Sequence, residues 1–174
     1  MARIILLGAS GFIGSNLLLE LKKQNYEIKA MINKKKLSIT VPNFSGNILT
    51  PKILDRVLKK DDIVINLIGQ ISKNHKNFIQ TNILGSINLL DSCYRKKVKK
   101  IIFLSSINVY GENTKSPSLE TDSLKPLTTY GHVKMLSEEL YKSYAKTYDL
   151  NIILLRLSNV YGPKKKLGFI SNLI

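Results

Sequence analysis

The sequence predicts an α/β domain built on a doubly wound parallel sheet. Short apolar runs alternate with longer helical patterns, the signature of βαβ units. Runs such as Ile101-Ile102-Phe103-Leu104 and Ile152-Ile153-Leu154-Leu155 are apolar throughout, as expected of strands covered by helices on both faces. Three glycines follow the first run directly, where such a domain turns from its first strand into its first helix. The 174 residues are 44% apolar and 22% charged, enough for one compact core and unlike a disordered chain.

In chain order, the first strand is read at Arg3–Leu7 and the first helix at Phe12–Gln24. A second strand at Glu27–Ile32 and a short third near Phe44 follow. Pro51 suits a first helical turn with Thr50 as its cap, opening a helix over Pro51–Lys59. The fourth strand is Asp62–Leu67, and a long helix runs from about His75 to Lys97. The fifth strand, Lys100–Leu104, leads into a loop, Gly111–Thr129, that carries Pro117 and Pro126. A last helix spans Tyr130–Tyr148, with Leu136, Leu140 and Tyr144 as its apolar stripe, before a sixth strand at Asn151–Leu155.

Charge and cysteine content exclude some functions. The excess of 27 Lys and Arg over 12 Asp and Glu gives a net charge of +15. It is almost all lysine, without the arginines and interleaved aromatics of a nucleic-acid site, so no nucleic-acid partner is expected. A positive field does attract an anionic ligand such as a nucleotide. The single Cys93 forms no internal disulfide and is read as a small core residue in a cytoplasmic protein. No apolar run reaches the roughly 18 residues of a membrane span, and His75 and His132 lack partners at metal-ligand spacing.

The glycine turn reads Gly8-Ala9-Ser10-Gly11-Phe12-Ile13-Gly14. Glycines at this spacing permit a tight turn and bring backbone close to a pyrophosphate, while the following helix offers unpaired N–H groups and its positive dipole end. Strand before and helix after satisfy the context for dinucleotide binding in a Rossmann-type fold of strand order 3-2-1-4-5-6. The acidic residue that holds the ribose of NAD at the end of the second strand is missing. Asn33 stands there, followed by Lys34-Lys35-Lys36, which suits a 2′-phosphate as well, so the cofactor is NAD or NADP.

Tyr130 and Lys134 lie four apart on one helical face. A lysine held there lowers the phenol pKa from about 10 toward working pH and makes the tyrosine a general acid/base. Such a pair also arises by chance on a lysine-rich helix. Ser105-Ser106 at the carboxyl end of the fifth strand adds a hydroxyl where open α/β sheets bind their ligands. Together the three elements define carbon–oxygen redox chemistry.

With these residues in place, the chain resembles the extended short-chain dehydrogenase/reductases, in particular the NAD-dependent epimerase/dehydratase group acting on nucleotide sugars. The resemblance rests on the glycine turn, Gly46-Asn47-Ile48, the Asn82–Leu90 stretch, Ser105-Ser106-Ile107-Asn108-Val109-Tyr110-Gly111, Tyr130-Gly131-His132-Val133-Lys134, and Leu155–Pro163. It implies that Gly8, Gly11, Phe12, Ile13 and Gly14 hold the pyrophosphate and that Asn47 and Ile48 flank the adenine; the missing acid and the lysine run after the second strand are what put Asn33 and Lys34 near the adenosine ribose. It makes Tyr130 the acid/base, Ser106 the substrate-polarising hydroxyl, Lys134 the ligand of the nicotinamide ribose, and Asn82 and Asn159 substrate contacts.

Ile107-Asn108 replaces the Asp-Glu pair to which the family's 4,6-dehydratases look, which disfavours dehydration and leaves epimerisation or reduction. The family pairs through two long helices, so the stretches 75–97 and 130–148 admit a homodimer. Residues 1–163 are read as the cofactor-binding domain and 164–174 as the start of a C-terminal substrate region. A rival reading is a non-catalytic NAD(P)-binding module or an inactive fragment.

Overall fold

The computed structural model describes residues 2–33, 35–69, 74–112 and 117–162. The expectations for Lys34 and for residues 164–174 lie outside them. Six parallel strands, β1 (Ile4–Leu7), β2 (Ile28–Ile32), β3 (Asn43–Ser45), β4 (Ile63–Asn66), β5 (Lys100–Ser106) and β6 (Ile152–Leu157), form one sheet of order β3-β2-β1-β4-β5-β6. That is the doubly wound order expected from the sequence.

Successive residues of a strand face opposite sides of the sheet, and here each side has its own core. Ile5 and Leu7 of β1 join Val64, Ile101 and Phe103 under Leu54 of α2 (Pro51–Val57), Leu89, Leu90 and Cys93 of α4 (Gly85–Lys96) and Tyr141 of α5 (Thr129–Tyr148). Ile4 and Leu6 turn the other way, with Ile28, Ala30 and Ile65, onto Leu18 of α1 (Phe12–Lys23). Cys93 is completely buried in the first core, and burial pushes its thiol pKa up, as suits a core residue and not a nucleophile.

Two elements depart from the sequence reading. The long helix predicted over 75–97 is divided into α3 (His75–Ile79), a π-helical turn at Gln80–Leu84, and α4. The wider turn brings Asn82 inward, where its amide donates to the Phe78 carbonyl at 2.9 Å. It also seats Gly85 on Ile48, whose Cγ2 is 2.7 Å from where a Cβ would stand. Hydropathy periodicity does not register one extra residue in a turn.

On α5 the expected stripe is not the main buried face. Leu136 is 52% exposed, and the buried residues are Gly131, Val133, Lys134, Ser137, Glu138 and Tyr141. Leu140 and Tyr144 pack at the edge of the core. Thr50 occupies the cap position of α2 without a side-chain bond to the helix.

The parallel topology puts every carboxyl strand end on one edge of the sheet. The glycine turn after β1, Gly69 after β4, Ser106 of β5 and Ser158-Asn159 after β6 therefore meet there, with the start of α5 above them.

Candidate active site

A cleft of about 590 Å³ opens along that edge. One wall is the glycine turn. Gly8 has φ +81°, a left-handed conformation that glycine adopts without penalty. A Cβ on Gly14 would stand 2.2 Å from the Gly8 carbonyl oxygen, so α1 packs directly onto the turn that precedes it. The cap of α1 is Gly11, which has no side chain to satisfy the first N–H groups. These donors and the positive helix end face the cleft beside Phe12 and Ile13. An open helix start with a tight glycine backbone fits the two phosphates of a dinucleotide.

The opposite wall is α5. Thr128 caps it, its hydroxyl oxygen accepting the Gly131 N–H at 3.0 Å. A Cβ on Gly131 would lie 2.4 Å from the Asn108 carbonyl oxygen, which brings the first turn of α5 against the short 3-10 turn that follows β5. Tyr130 faces Ser106 across this contact.

Burial pushes the Tyr130 phenol above its ordinary value, while a hydrogen bond with Ser106 acts in the opposite direction. The expected depression of the phenol is therefore not found in the chain by itself. Ser106 Oγ also accepts the Asn108 N–H at 3.2 Å. Lys134 is almost fully buried, 3% exposed. Its Nζ donates to the Leu104 carbonyl at 2.7 Å and lies 4.6 Å from the centre of the Phe103 ring. Burial brings the ammonium pKa down to about 8, with the charge of Glu138 opposing that fall.

Of the residues expected from sequence, Gly8, Gly11, Phe12, Ile13, Gly14, Ser106, Tyr130, Lys134 and Asn159 line this single cleft. Asn33, Asn47, Ile48 and Asn82 do not line it. Asn33 is exposed just past the end of β2. The Asn47 side chain accepts the Leu49 N–H at 3.0 Å. Ile48 is buried in the first core, and its carbonyl accepts from Asn88 at 3.2 Å. Asn82 is buried in the π-helical turn.

Several residues of the region escape sequence reasoning. Gly69 leaves room for Lys134, whose Nζ is 3.3 Å from where a Cβ would stand. Ser105, which also lines the cleft, the buried Glu138 and the half-buried Arg156 form one polar system. The i, i+4 spacing of Lys134 and Glu138 is a signal for that system, but on a lysine-rich helix it reads as a solvated pair.

The sequence model of the NAD dependent epimerase/dehydratase family matches residues 4–174. The chain is 32% identical to the dTDP-D-glucose 4,6-dehydratase of Dictyostelium discoideum over 94% of its own length and 45% of that protein's. It is also 32% identical to a putative UDP-glucose 4-epimerase of Methanocaldococcus jannaschii, over 97% of the chain and 60% of the relative. The UDP-glucose 4-epimerase of Thermus thermophilus, solved in complex with NAD, superimposes with a TM-score of 0.84 at 26% identity, covering 94% of this chain and 57% of that one. The chain thus spans about half the length of the proteins it matches.

Proposed function

This chain belongs to the NAD-dependent epimerase/dehydratase family, and from that premise we propose that it binds NAD or NADP and serves hydride-transfer chemistry on a nucleotide sugar, as an epimerase or reductase. The observation that carries the reading is the convergence of Ser106, Tyr130 and Lys134 on the cleft that begins at the glycine turn. Gly8, Gly11 and Gly14 with the start of α1 would hold the pyrophosphate, and Lys134 and Tyr130 would lie at the nicotinamide end. The bound dinucleotide supplies a two-electron hydride acceptor and donor.

The chain's own residues handle the proton. Ser106 hydrogen-bonds a sugar hydroxyl oxygen, and Tyr130 takes that hydroxyl proton as the carbon is oxidised, then returns it on reduction. The Lys134 ammonium, the dominant form below about pH 8, stabilises the phenolate as it forms. Asn159, which lines the cleft, would contact the substrate. Ile107 and Asn108 offer no acid or base at neutral pH, which favours epimerisation or reduction over loss of water. The single Cys, buried and unpaired, suits a cytoplasmic setting.

Titration of the chain with NAD and NADP, followed by hydride transfer with a UDP-hexose, tests the reading. Tyr130→Phe retains dinucleotide affinity within about threefold and loses hydride transfer by about 100-fold or more, the scale of a general acid/base. Equal turnover in both proteins overturns the catalytic role of Tyr130, whereas dinucleotide binding without hydride transfer in the wild type leaves the rival reading, a non-catalytic NAD(P)-binding module. With no carboxylate at the end of β2, NADP binds at least as tightly as NAD; a clear preference for NAD overturns that part.

A further inference from the structure

Four consecutive residues at the end of β5 are tied to α5. Phe103 lies under the Lys134 ammonium and stacks on the Tyr141 ring at 4.2 Å between centres. The Leu104 carbonyl accepts from Lys134. Ser105 Oγ donates to Glu138 Oε1 at 2.5 Å, and Ser106 is bonded to Tyr130.

Glu138 is the centre of this seam. Its side chain is completely buried, one helical turn beyond Lys134, and it is gripped by Arg156 from the paired strand β6. Arg156 Nε donates to Oε1 at 3.0 Å and an η nitrogen to Oε2 at 2.7 Å. The other η nitrogen donates to the Tyr110 hydroxyl at 2.7 Å and to the Glu120 carbonyl at 3.1 Å, and the guanidinium lies 4.8 Å from the Tyr110 ring centre. Lys142 of α5 approaches the same carboxylate at 4.0 Å, and these partners together hold the buried charge in place.

We propose that Glu138 is a positioning residue for the cleft: buried one helical turn beyond Lys134 and held there by Arg156 and Ser105, its carboxylate is the fixed negative charge that serves the Lys134 ammonium in the cleft that Tyr130 lines. This inference rests on the proposed hydride-transfer function, because it assigns Glu138 a role only through Lys134. Among the described residues, Glu138 of α5 is the charged group that acts on Lys134, and Tyr130 of α5 lines the same cleft. β5 presents the Phe103 ring and the Leu104 carbonyl, the turn after β4 presents Gly69, and Arg156 of β6 is bound to Glu138. Of the Glu138–Arg156 pair, the acid is the member that raises Lys134.

The direction of a shift separates this role from simple bracing. Loosening the seam admits water and returns Lys134 upward, toward an ordinary lysine; removing a nearby negative charge from an intact seam moves it down. Nuclear magnetic resonance titration of the Lys134 13Cε signal in the cofactor-free chain, assigned by its loss in Lys134→Gln, reads this without turnover. Glu138→Gln lowers the midpoint by about one pH unit, the scale of losing one close opposite charge.

A half-removed buried pair can unfold a protein, whereas a neutral pair is better tolerated. The double variant Glu138→Gln/Arg156→Gln keeps the test decisive and also lowers the midpoint. An unmoved or raised midpoint in the folded variants overturns the proposal, whatever the affinity for NAD. Failure of the wild-type chain to bind NAD or NADP, with the midpoint falling as expected, overturns the proposed function instead and leaves the electrostatic link between Glu138 and Lys134 standing.

Discussion

At the scale of single residues, the two later glycines of the turn make unequal demands. A methyl group on Gly14 would stand 2.2 Å from the Gly8 carbonyl, while one on Gly11 would meet the same oxygen at 3.3 Å. The first contact requires α1 to move off the turn. The second needs only a few tenths of an ångström. Gly14→Ala is therefore expected to cost about 1–3 kcal/mol of stability, as overpacking does, and to weaken NAD binding at least tenfold. Gly11→Ala changes both measurably less. Thermal melts and dinucleotide titration of the two variants check the order; equal losses would place the constraint elsewhere. The same scale explains the tyrosine. Its identity was legible in the Tyr-x-x-x-Lys spacing, but its raised pKa comes from burial between α5 and the end of β5, a quantity the spacing does not contain.

At the scale of elements, α5 is the helix that hydropathy describes least well. Its inward face carries Lys134, Ser137 and Glu138 alongside Val133 and Tyr141, so the apolar residues that remain visible to a periodicity search, Leu136 among them, point to its flank. Polar residues occupy the inward face because the carboxyl ends of the strands offer them partners: Leu104, Ser105, Asn66 and Arg156 bond Lys134, Glu138, Tyr141 and Glu138 in turn. The start of the helix is fixed by contact with the Asn108 carbonyl and Pro126 at Gly131. Gly131→Ala inserts a methyl 2.4 Å from that oxygen. We expect hydride transfer to fall about tenfold or more, because displacing an acid/base by about 1 Å costs that much and more, with dinucleotide affinity changed less. Wild-type turnover in Gly131→Ala would mean that this packing does not position Tyr130.

At the scale of the molecule, exposed apolar side chains on the edge strand and on the helices bear on assembly. Ile153 and Leu155 of the edge strand β6 are 38% and 40% exposed on a sheet that helices cover elsewhere. Ile79, Leu84 and Leu136 are exposed on α3, the π-helical turn and α5. The resemblance that admits a homodimer puts it on these helices, and pairing there would bury the second group. Small-angle scattering is expected to give twice the chain mass for the wild type and the single mass for Leu84→Glu/Leu136→Glu. A wild-type monomer at all accessible concentrations removes this dimer. No helix among the described residues is long and apolar enough to cross a membrane.

Glycine spacing, apolar runs and i, i+4 pairs are local patterns, so the sequence by itself was enough to predict the doubly wound fold type with its strand order, and to single out the glycine turn, Tyr130, Lys134 and Ser106 as candidates that the structure brings to one cleft. Boundaries also followed within a residue or two where an apolar run ended in a turn. Tertiary structure alone decided that Asn47, Ile48 and Asn82 are not among the residues that line the cleft, that a π-helical turn interrupts the long helix, and that a buried Glu138 meets a half-buried Arg156. These depend on which distant groups meet: Gly85 on Ile48, Ser105 and Arg156 on Glu138. A charged side chain reads as solvent-facing until the fold supplies it with a partner of opposite charge out of water.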